Sequence, residues 1–442
     1  MARRLLVTVA LTVGVIAAWQ SVAAAVGPFP QDWQTVQERP IWLGTSGGNV
    51  YDRSALYCCS GTLGALVSDG STYYILSNNH VMALVNEGIV GDPISQPGNI
   101  DIGCYPQPEH TVANLSDFVP IKFAKGRRVF GNVVDAAIAE IVPGKVRTDG
   151  WILGIDSVNS ATLPASIGLG VKKSGRTTGL TIGTVQAIDW SGYIGYPKEC
   201  GSSATDPAYF VDQIVITDGA FSDGGDSGSL VVEDVADAPR AVGLLFAGSL
   251  THTLANPIDA VLDSLGVTMD LNGSEPPPPS QTGTITGIVT DEASGKAIFK
   301  ATVSVDSGQT ATTDKKGKYT IPGVSEGPHG VTASAKRYSP AEQSITVAAD
   351  GTVEANFELL PSASPGAKEA AIAHAIEVKR RNEQRILGLA NVAGVGVGLS
   401  GNDQAVIRVY LTKGPAQGRG DIPSHLEGVP VLTEVSGPFV AY

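Results

Sequence analysis

The sequence has no excess of positive charge, few cysteines and almost no long apolar stretch. Its 442 residues carry a formal net charge of -13. This charge excludes a general affinity for nucleic acid or anionic lipid, because both are themselves negatively charged. Beyond the amino terminus, no segment is apolar over the roughly 20 residues that a bilayer-spanning helix requires. We therefore expect no nucleic-acid partner and no integral membrane span.

The one long apolar run lies at the amino terminus and has the order of a signal peptide. Arg3 and Arg4 precede an apolar run from Leu5 to Trp19, and small residues follow as far as Ala25. A basic start, an apolar core and small residues are typical of secretory signal peptides. The run is also short for a membrane anchor. The sequence predicts a signal peptide at 1–25, cleaved near Ala25, and a secreted, extracellular protein.

The chain has four cysteines: Cys58, Cys59, Cys104 and Cys200. In an exported protein they are candidates for two disulfides. Neighbouring cysteines rarely join each other, because a disulfide requires a particular Cβ geometry. We expect Cys58 and Cys59 each to pair with Cys104 or Cys200. The spacings are irregular and no histidine lies close by, so we predict no metal site.

The length of the chain and its pattern of apolar runs and turns predict several domains. A chain of 442 residues exceeds the size at which a single core stops growing. From about Gly44 to Val267, short apolar runs alternate with Gly, Asn and Asp turns, as in an antiparallel sandwich or barrel. A proline-rich spacer then contains Pro276 to Pro279. We expect a first β-rich domain at 26–271, a linker at 272–282, a second β-rich domain at 283–361 and a carboxy-terminal module at 362–442.

The two segments after the linker have different patterns. Alternation and a turn signal at Asp314 to Tyr319 predict a small Ig-like β-sandwich at 283–361. The last segment has Ser364-Pro365 where a helix would begin, then a helix to about Leu387 and two apolar runs that we expect to pair as strands. The fold class is therefore mainly β, with a small α+β module at the end. Glycines in the first of these runs have the wrong spacing for a nucleotide loop.

The segment 283–361 resembles a known domain family. Gly287-Ile288-Val289-Thr290-Asp291, Ala301-Thr302-Val303 and Gly317 to Val324 are similar to the carboxypeptidase regulatory-like (transthyretin-like) domain. The resemblance implies a β-sandwich fold and no activity of its own.

The first domain contains one candidate for each part of a serine acyl-transfer site. Ser227 lies in a glycine-rich loop that leaves its hydroxyl unobstructed, and the N–H groups of Gly225 and Ser227 are candidates for an oxyanion hole. His80 follows a strand-like run. Asp135 lies among apolar residues, where an unpaired carboxylate is costly to bury, so the imidazole of His80 is its expected partner. Taken singly, the serine also fits an ordinary turn, and the histidine a structural role.

Together these motifs resemble the chymotrypsin-like serine peptidases over roughly Gly44 to Val267. Ser77-Asn78-Asn79-His80 stands where the family has Thr-Ala-Ala-His, Asp135 precedes an aliphatic strand, and Gly225-Asp226-Ser227-Gly228 matches the serine motif. The resemblance implies a double antiparallel β-barrel, a His80, Asp135 and Ser227 triad, a protein or peptide substrate and no cofactor.

Further residues take expected roles from the same resemblance. Lys173 to Gly179 resembles the Gly-Arg-Thr-Thr-Gly segment of secreted bacterial members, which implies an ion pair between Arg176 and Asp226 and no activating cut. Ala247 and Gly248 match the strand that binds substrate backbone. Phe246, however, stands where the family usually has a serine that supports the triad aspartate.

Substrate preference is weakly signalled. Phe221 lies six residues before Ser227, where the resemblance implies the base of the specificity pocket, so the aspartate that selects Arg or Lys in the family is missing. His252 follows the substrate strand and is a candidate for recognising acidic side chains, as in glutamyl endopeptidases.

Two alternatives remain open. One is a catalytically inactive trypsin-fold binding or adhesion protein, in which the carboxy-terminal domains contact a surface or carbohydrate. The other uses the same residues in an esterase, or in a protease that acts only on itself.

Overall fold

The computed structural model describes residues 33–442 except 125–129, 218–219, 270, 272–281, 306–308, 326, 336–337, 339, 349–350, 361–364, 415–421 and 442. The predicted signal peptide and nearly all of the predicted linker lie outside the described residues. Among the helices that the model describes, none is long and apolar enough to cross a membrane.

Seven antiparallel strands form a first barrel-like sheet. They are β1 to β7: Thr45–Asn49, Gly61–Leu63, Ala65–Ser68, Tyr73–Ser77, Pro93–Ser95, Thr111–Phe118 and Ala137–Ile141. Their order in the sheet is β2-β1-β5-β6-β7-β4-β3. The two outermost strands, β2 and β3, are separated only by Gly64, so the sheet curls back on itself. A Cβ at Gly64 would lie 1.9 Å from the carbonyl oxygen of Gly228, so glycine is required where the serine loop approaches this corner.

Six antiparallel strands form a second barrel. They are β8 to β13: Gly170–Gly175, Gly179–Pro197, Thr205–Thr217, Leu230–Glu233, Ala241–Gly248 and His252–Pro257. Their order is β10-β13-β12-β11-β8-β9, and β9 pairs with β10 to complete the ring. Two short helices, α1 at Asn79–Met82 and α2 at Ile258–Leu265, accompany the barrels. The double antiparallel β-barrel predicted from the sequence is confirmed.

The segment after the linker is a β-sandwich, as predicted. Strands β14 to β21 are Thr282–Asp291, Thr302–Val305, Thr310–Thr312, Lys318–Ser325, Gly327–Ser334, Ala341–Val347, Thr352–Glu354 and Phe357–Leu359. They form two four-stranded sheets around a separate core that includes Ile285, Tyr319 and Phe357. The expected turn begins at Asp314, where Gly317 takes the left-handed conformation with φ 75°.

The last segment contains the expected helix and paired strands. Helix α3 spans Pro365–Leu387, and strands β22 to β26 are Val392–Leu399, Ala405–Leu411, His425–Leu426, Val429–Val435 and Phe439–Ala441. Strands β22 and β23 pair antiparallel, as predicted.

This segment does not form a sheet of its own. Strand β22 pairs antiparallel with β9, so the sheet of the second barrel continues into the carboxy-terminal strands. A Cβ at Gly394 would lie 2.3 Å from the ring of Trp190. Gly394 is therefore explained by its close packing on the buried indole of Trp190, which the sequence pattern did not indicate.

Candidate active site

Adjacent strands bring His80 and Asp135 together. Strand β4 leads into α1, which carries His80, and Asp135 lies two residues before β7, which pairs with β4. The Nδ1 atom of His80 lies 2.6 Å from Oδ2 of Asp135, and the His80 N–H donates to Oδ1 at 3.2 Å. The Asp135 side chain is fully buried. The carboxylate thus fixes the orientation of the ring and leaves Nε2 as the imidazole atom for proton transfer.

A tyrosine donates a hydrogen bond to the carboxylate of Asp135. The hydroxyl of Tyr196 donates to Asp135 Oδ2 at 2.8 Å, and the N–H of Asp135 donates to Oδ1 of Asn256 at 3.0 Å. Burial, reinforced by the negative charge of Asp135, raises the pKa of Tyr196 well above its ordinary value. Tyr196 therefore remains a hydrogen-bond donor. The ring of Phe246, the residue at which the sequence resemblance led us to look for such support, lies 4.8 Å from that of Phe210.

The loop between β10 and β11 carries Ser227, and two of its N–H groups, at Gly225 and Ser227, lie at the turn around the serine. In this loop the N–H groups of Asp226, Gly228 and Ser229 all donate to backbone carbonyls. Within the part of the chain that the structure describes, the N–H groups of Gly225 and Ser227 have no such acceptor. Gly225 and Gly228 have φ values of 98° and 93°, a conformation that favours glycine. The sharp turn presents the two amides that the sequence predicted for an oxyanion hole.

The serine loop lies against β2, which also contacts the residue after His80. The carbonyl oxygen of Ser227 accepts a hydrogen bond from Thr62 N at 2.8 Å. A Cβ at Gly61 would lie 2.5 Å from Val81 Cγ2 and 3.0 Å from the Ser227 carbonyl oxygen. Val81, which follows His80, and Ser227 therefore both pack against Gly61. The Ser227 hydroxyl itself donates to the carbonyl oxygen of Phe246 at 3.1 Å and is fully buried.

The predicted ion pair between Arg176 and Asp226 is wrong. The guanidinium of Arg176 instead binds Asp101, with Nε to Oδ2 at 2.8 Å and Nη2 to Oδ1 at 2.6 Å. Asp226 is fully buried, and its carboxylate accepts from Thr177 N at 2.8 Å and from the Thr178 hydroxyl at 2.7 Å. Arg176 still lies beside the serine loop, because a Cβ at Gly225 would approach its Nη1 to 2.9 Å.

A buried lysine supplies the charge that balances Asp226. The Nζ atom of Lys173 lies 3.6 Å from Asp226 Oδ2, and both side chains are fully buried. Burial lowers the pKa of Lys173 to about 8, against the opposing effect of Asp226. In a strand, alternate residues share a face, and Lys173 follows the buried Val171 by two positions. That alternation was the available signal for an inward lysine.

Both predicted disulfides are present, in one of the pairings left open. Cys58 pairs with Cys104, and Cys59 pairs with Cys200. The carboxylate of Asp52 lies within 4.8 Å of the sulfurs of Cys59 and Cys200, but disulfide sulfurs are not thiolate ligands for a metal. Burial raises the pKa of Asp52 to about 6, and the nearby His80 opposes this shift.

The predicted substrate-contact residues fall into two groups. Phe221 is fully buried in the core of the second barrel with Val185 and Ile216, and its place at the base of a specificity pocket stays a prediction. Ala247 and Gly248 lie on β12 as predicted, but their edge is paired with β26. His252 is also buried, and its Nε2 lies 3.7 Å from Oε2 of Glu434.

Comparisons with solved structures find bacterial serine proteases. A glutamic-acid-specific serine protease described as using a histidine triad in substrate binding is 21% identical, covers 52% of this chain and 99% of its own, and gives a TM-score of 0.35. Thermobifida fusca protease A is 18% identical, covering 52% and 97%, with a TM-score of 0.34. Cellulomonas bogoriensis chymotrypsin is 19% identical, covering 52% and 98%, with a TM-score of 0.31. At these identities and TM-scores, a functional assignment has to rest on the contacts described above.

Residues 284–360 match the family model of the carboxypeptidase regulatory-like domain. Carboxypeptidase D from Homo sapiens is 34% identical over 89 residues, and the mouse protein is 35% identical over 89. Each match covers 19% of this chain, and the chain spans only 6% of the length of these relatives. The similarity confirms the identity of the β-sandwich predicted from the sequence.

Proposed function

We propose that the protein is a secreted serine endopeptidase with His80, Asp135 and Ser227 as its triad. The observation that carries the proposal is the 2.6 Å contact between His80 Nδ1 and the fully buried carboxylate of Asp135. A carboxylate in this position favours the tautomer with a proton on Nδ1, so that Nε2 carries the lone pair that acts as a base. The serine loop beside α1 then provides the nucleophile.

The proposed reaction proceeds through an acyl-enzyme. His80 Nε2 removes the hydroxyl proton as Ser227 Oγ attacks the peptide carbonyl, and the tetrahedral oxyanion accepts hydrogen bonds from the N–H groups of Gly225 and Ser227. The imidazolium of His80, stabilised by Asp135, then protonates the leaving amine as the C–N bond breaks. Water attacks the acyl-enzyme with His80 again as base, which releases the new carboxyl terminus and restores the Ser227 hydroxyl.

A polypeptide substrate would pair with β12 at Ala247 and Gly248, the edge at which β26 pairs in this structure. An extended peptide can pair antiparallel with such an edge through main-chain hydrogen bonds. Two disulfides support an oxidising, extracellular location. Recognition of acidic side chains by His252 remains a prediction, and a peptide library without a preference for Glu or Asp would contradict it.

A fluorophosphonate probe tests the proposal directly. The purified protein is treated beside Ser227→Ala and the control Ser71→Ala, which changes an exposed turn serine, and the modified residue is mapped by mass spectrometry. We expect labelling at Ser227, in the full chain or in the chain ending at Pro438, that is lost in Ser227→Ala and retained in Ser71→Ala. Labelling elsewhere, or unchanged labelling of Ser227→Ala, would contradict the triad.

One observation favours the inactive binding protein as a second candidate. Ser227 is 0% exposed, and its hydroxyl is bonded to a backbone carbonyl. If neither the full chain nor the chain ending at Pro438 is labelled while both are folded, the binding protein becomes the better assignment.

A further inference from the structure

The carboxy-terminal strand β26 occupies the edge of β12 that the proposed mechanism assigns to substrate. Val440 pairs with Gly248, and Ala441 pairs with Ala247, in an antiparallel register. This is the arrangement by which an extended peptide adds to an exposed sheet edge. A peptide that continues in this register places its next residue opposite Phe246, whose carbonyl oxygen accepts the Ser227 hydroxyl at 3.1 Å. The occupied edge therefore leads directly to the proposed nucleophile.

Strand β26 is held on both edges. Its second edge pairs parallel with β9, where Phe439 lies opposite Ile194 and Val440 opposite Gly195. The ring of Phe439 lies 5.0 Å from that of Trp190 and 6.1 Å from that of Tyr410. Because both of its edges are paired and its phenylalanine is buried, β26 is bound in this position.

The core under β26 also reaches the triad. Phe439 and Ala441 belong to one buried cluster with Phe246, Ala247 and Tyr196. Tyr196 is the residue whose hydroxyl binds Asp135. The segment that covers the substrate edge and the side chain that supports the triad are thus packed in a common apolar core.

A carboxylate of β25 also contacts the histidine beside the substrate strand. Glu434, at the end of β25, lies 3.7 Å from His252 Nε2 and 3.3 Å from Arg408 Nη1. Burial alone would raise the pKa of Glu434, but the contacts with His252 and Arg408 lower it below its ordinary value. Glu434 is therefore ionised at neutral pH. The histidine predicted to recognise acidic substrates is occupied by an acidic side chain of the same chain.

We infer that Phe439–Ala441 is a built-in peptide ligand of the substrate edge, which keeps the protein latent until the strand leaves β12. The ligand class is an extended peptide with Ala and Val facing Ala247 and Gly248. Latency, unlike the binding itself, rests on the proposed protease function. The complete burial of Ser227 agrees with this state, because a serine nucleophile has to contact its substrate. A tethered segment competes at an effective concentration in the mM range, far above that of most substrates.

Activity measurements test latency. The full chain is compared with a chain ending at Pro438, with Val440→Pro, which removes a backbone N–H from β26, and with Val440→Ala, which keeps it. We expect kcat/KM for a peptide substrate to rise at least about tenfold in the first two variants, through a lower apparent KM, and to stay near the starting value in Val440→Ala. An active full chain whose kcat/KM is unchanged by truncation and by Val440→Pro would overturn latency.

A binding measurement separates the strand site from catalysis. In a Ser227→Ala background, a fluorescent peptide of sequence Ser-Gly-Pro-Phe-Val-Ala-Tyr is titrated into the full chain and into the chain ending at Pro438, with circular dichroism as the folding check. We expect saturable binding to the shortened chain and at least tenfold weaker binding to the full chain. Equal binding to both, or none to a folded shortened chain, would overturn the inference. If the shortened chain binds the peptide but the form that keeps Ser227 hydrolyses no peptide substrate, the proposed protease function is rejected and the strand site is retained.

Discussion

The two segments that follow the barrels are attached to them in different ways. In the sandwich, β14 to β21 pair among themselves and enclose a separate core. In the last segment, β22 and β26 join strands of the second barrel, and Phe439 shares a core with Phe246. From sequence both segments were described as appended domains. The difference shows that an added segment can become part of an existing sheet, so that its stability and that of the barrel are no longer separable.

The largest expected effect comes from removing one buried phenylalanine on each side of this comparison. Phe357 is 1% exposed in the sandwich, and Phe439 is 2% exposed beside the barrel. Each Phe→Ala change should cost about 3–5 kcal/mol of unfolding free energy. We expect Phe439→Ala to lower the calorimetric transition of the barrels, and Phe357→Ala to lower a separate transition of the sandwich. A single transition shifted equally by both variants would show that the two segments are equally coupled to the barrels.

A second prediction concerns the lysine that joins α3 to β9. Lys379 is buried and lies 3.4 Å from Asp189 and 2.7 Å from Glu383. Lys379→Ala removes the buried cation between two carboxylates and leaves Asp189 with only the exposed Arg380, at 3.0 Å, so it should cost about 3 kcal/mol in urea unfolding. The matched control Lys368→Ala removes an exposed lysine of the same helix that pairs with Asp403, and should cost at most about 1 kcal/mol. If both variants lost the same unfolding free energy, the buried Lys379 of α3 would contribute little to the attachment of α3 to β9.

The smallest effect depends on pH. Because the folded-state pKa of Glu434 is lowered from its ordinary value of 4.5, its ionisation stabilises the fold above that pH, and this stability is lost as pH falls through the lower folded-state pKa. Glu434→Gln should therefore destabilise the protein by up to about 1 kcal/mol at pH 7, with a smaller difference below pH 4.5. Thermal melts at several pH values measure this, with the exposed sandwich variant Glu358→Gln as control. A constant difference would exclude the charge as its cause.

Local patterns and the family resemblance together predicted most of the fold. Turn spacing and alternation indicated two β-rich domains, the resemblance implied the double barrel, and a proline after serine marked the start of α3 at Pro365. The same patterns did not show that β22 would pair with β9. An edge strand carries backbone groups that can pair with any other strand, so the partner depends on tertiary packing, here on Trp190 and Gly394.

The candidate site was predictable where it follows motifs and not where it depends on distant side chains. His80 and Asp135 are in contact as predicted. The support from Tyr196 lies 61 residues from Asp135 in sequence, and the partner of Arg176 lies 75 residues away. A salt bridge requires only opposite charge and proximity. The motif that contains Arg176 therefore did not reveal that Asp101 would be nearer in the fold than Asp226.

The place of β26 in the chain has a consequence for biosynthesis. A polypeptide folds from its amino terminus as it emerges, and domains fold as units. Strand β12 and the serine loop are translated long before Phe439–Ala441, with the whole sandwich synthesised in between. Newly made molecules should therefore pass through a stage in which the barrels are folded and the edge of β12 is still open. The time spent at that stage depends on how fast the ribosome reaches β26.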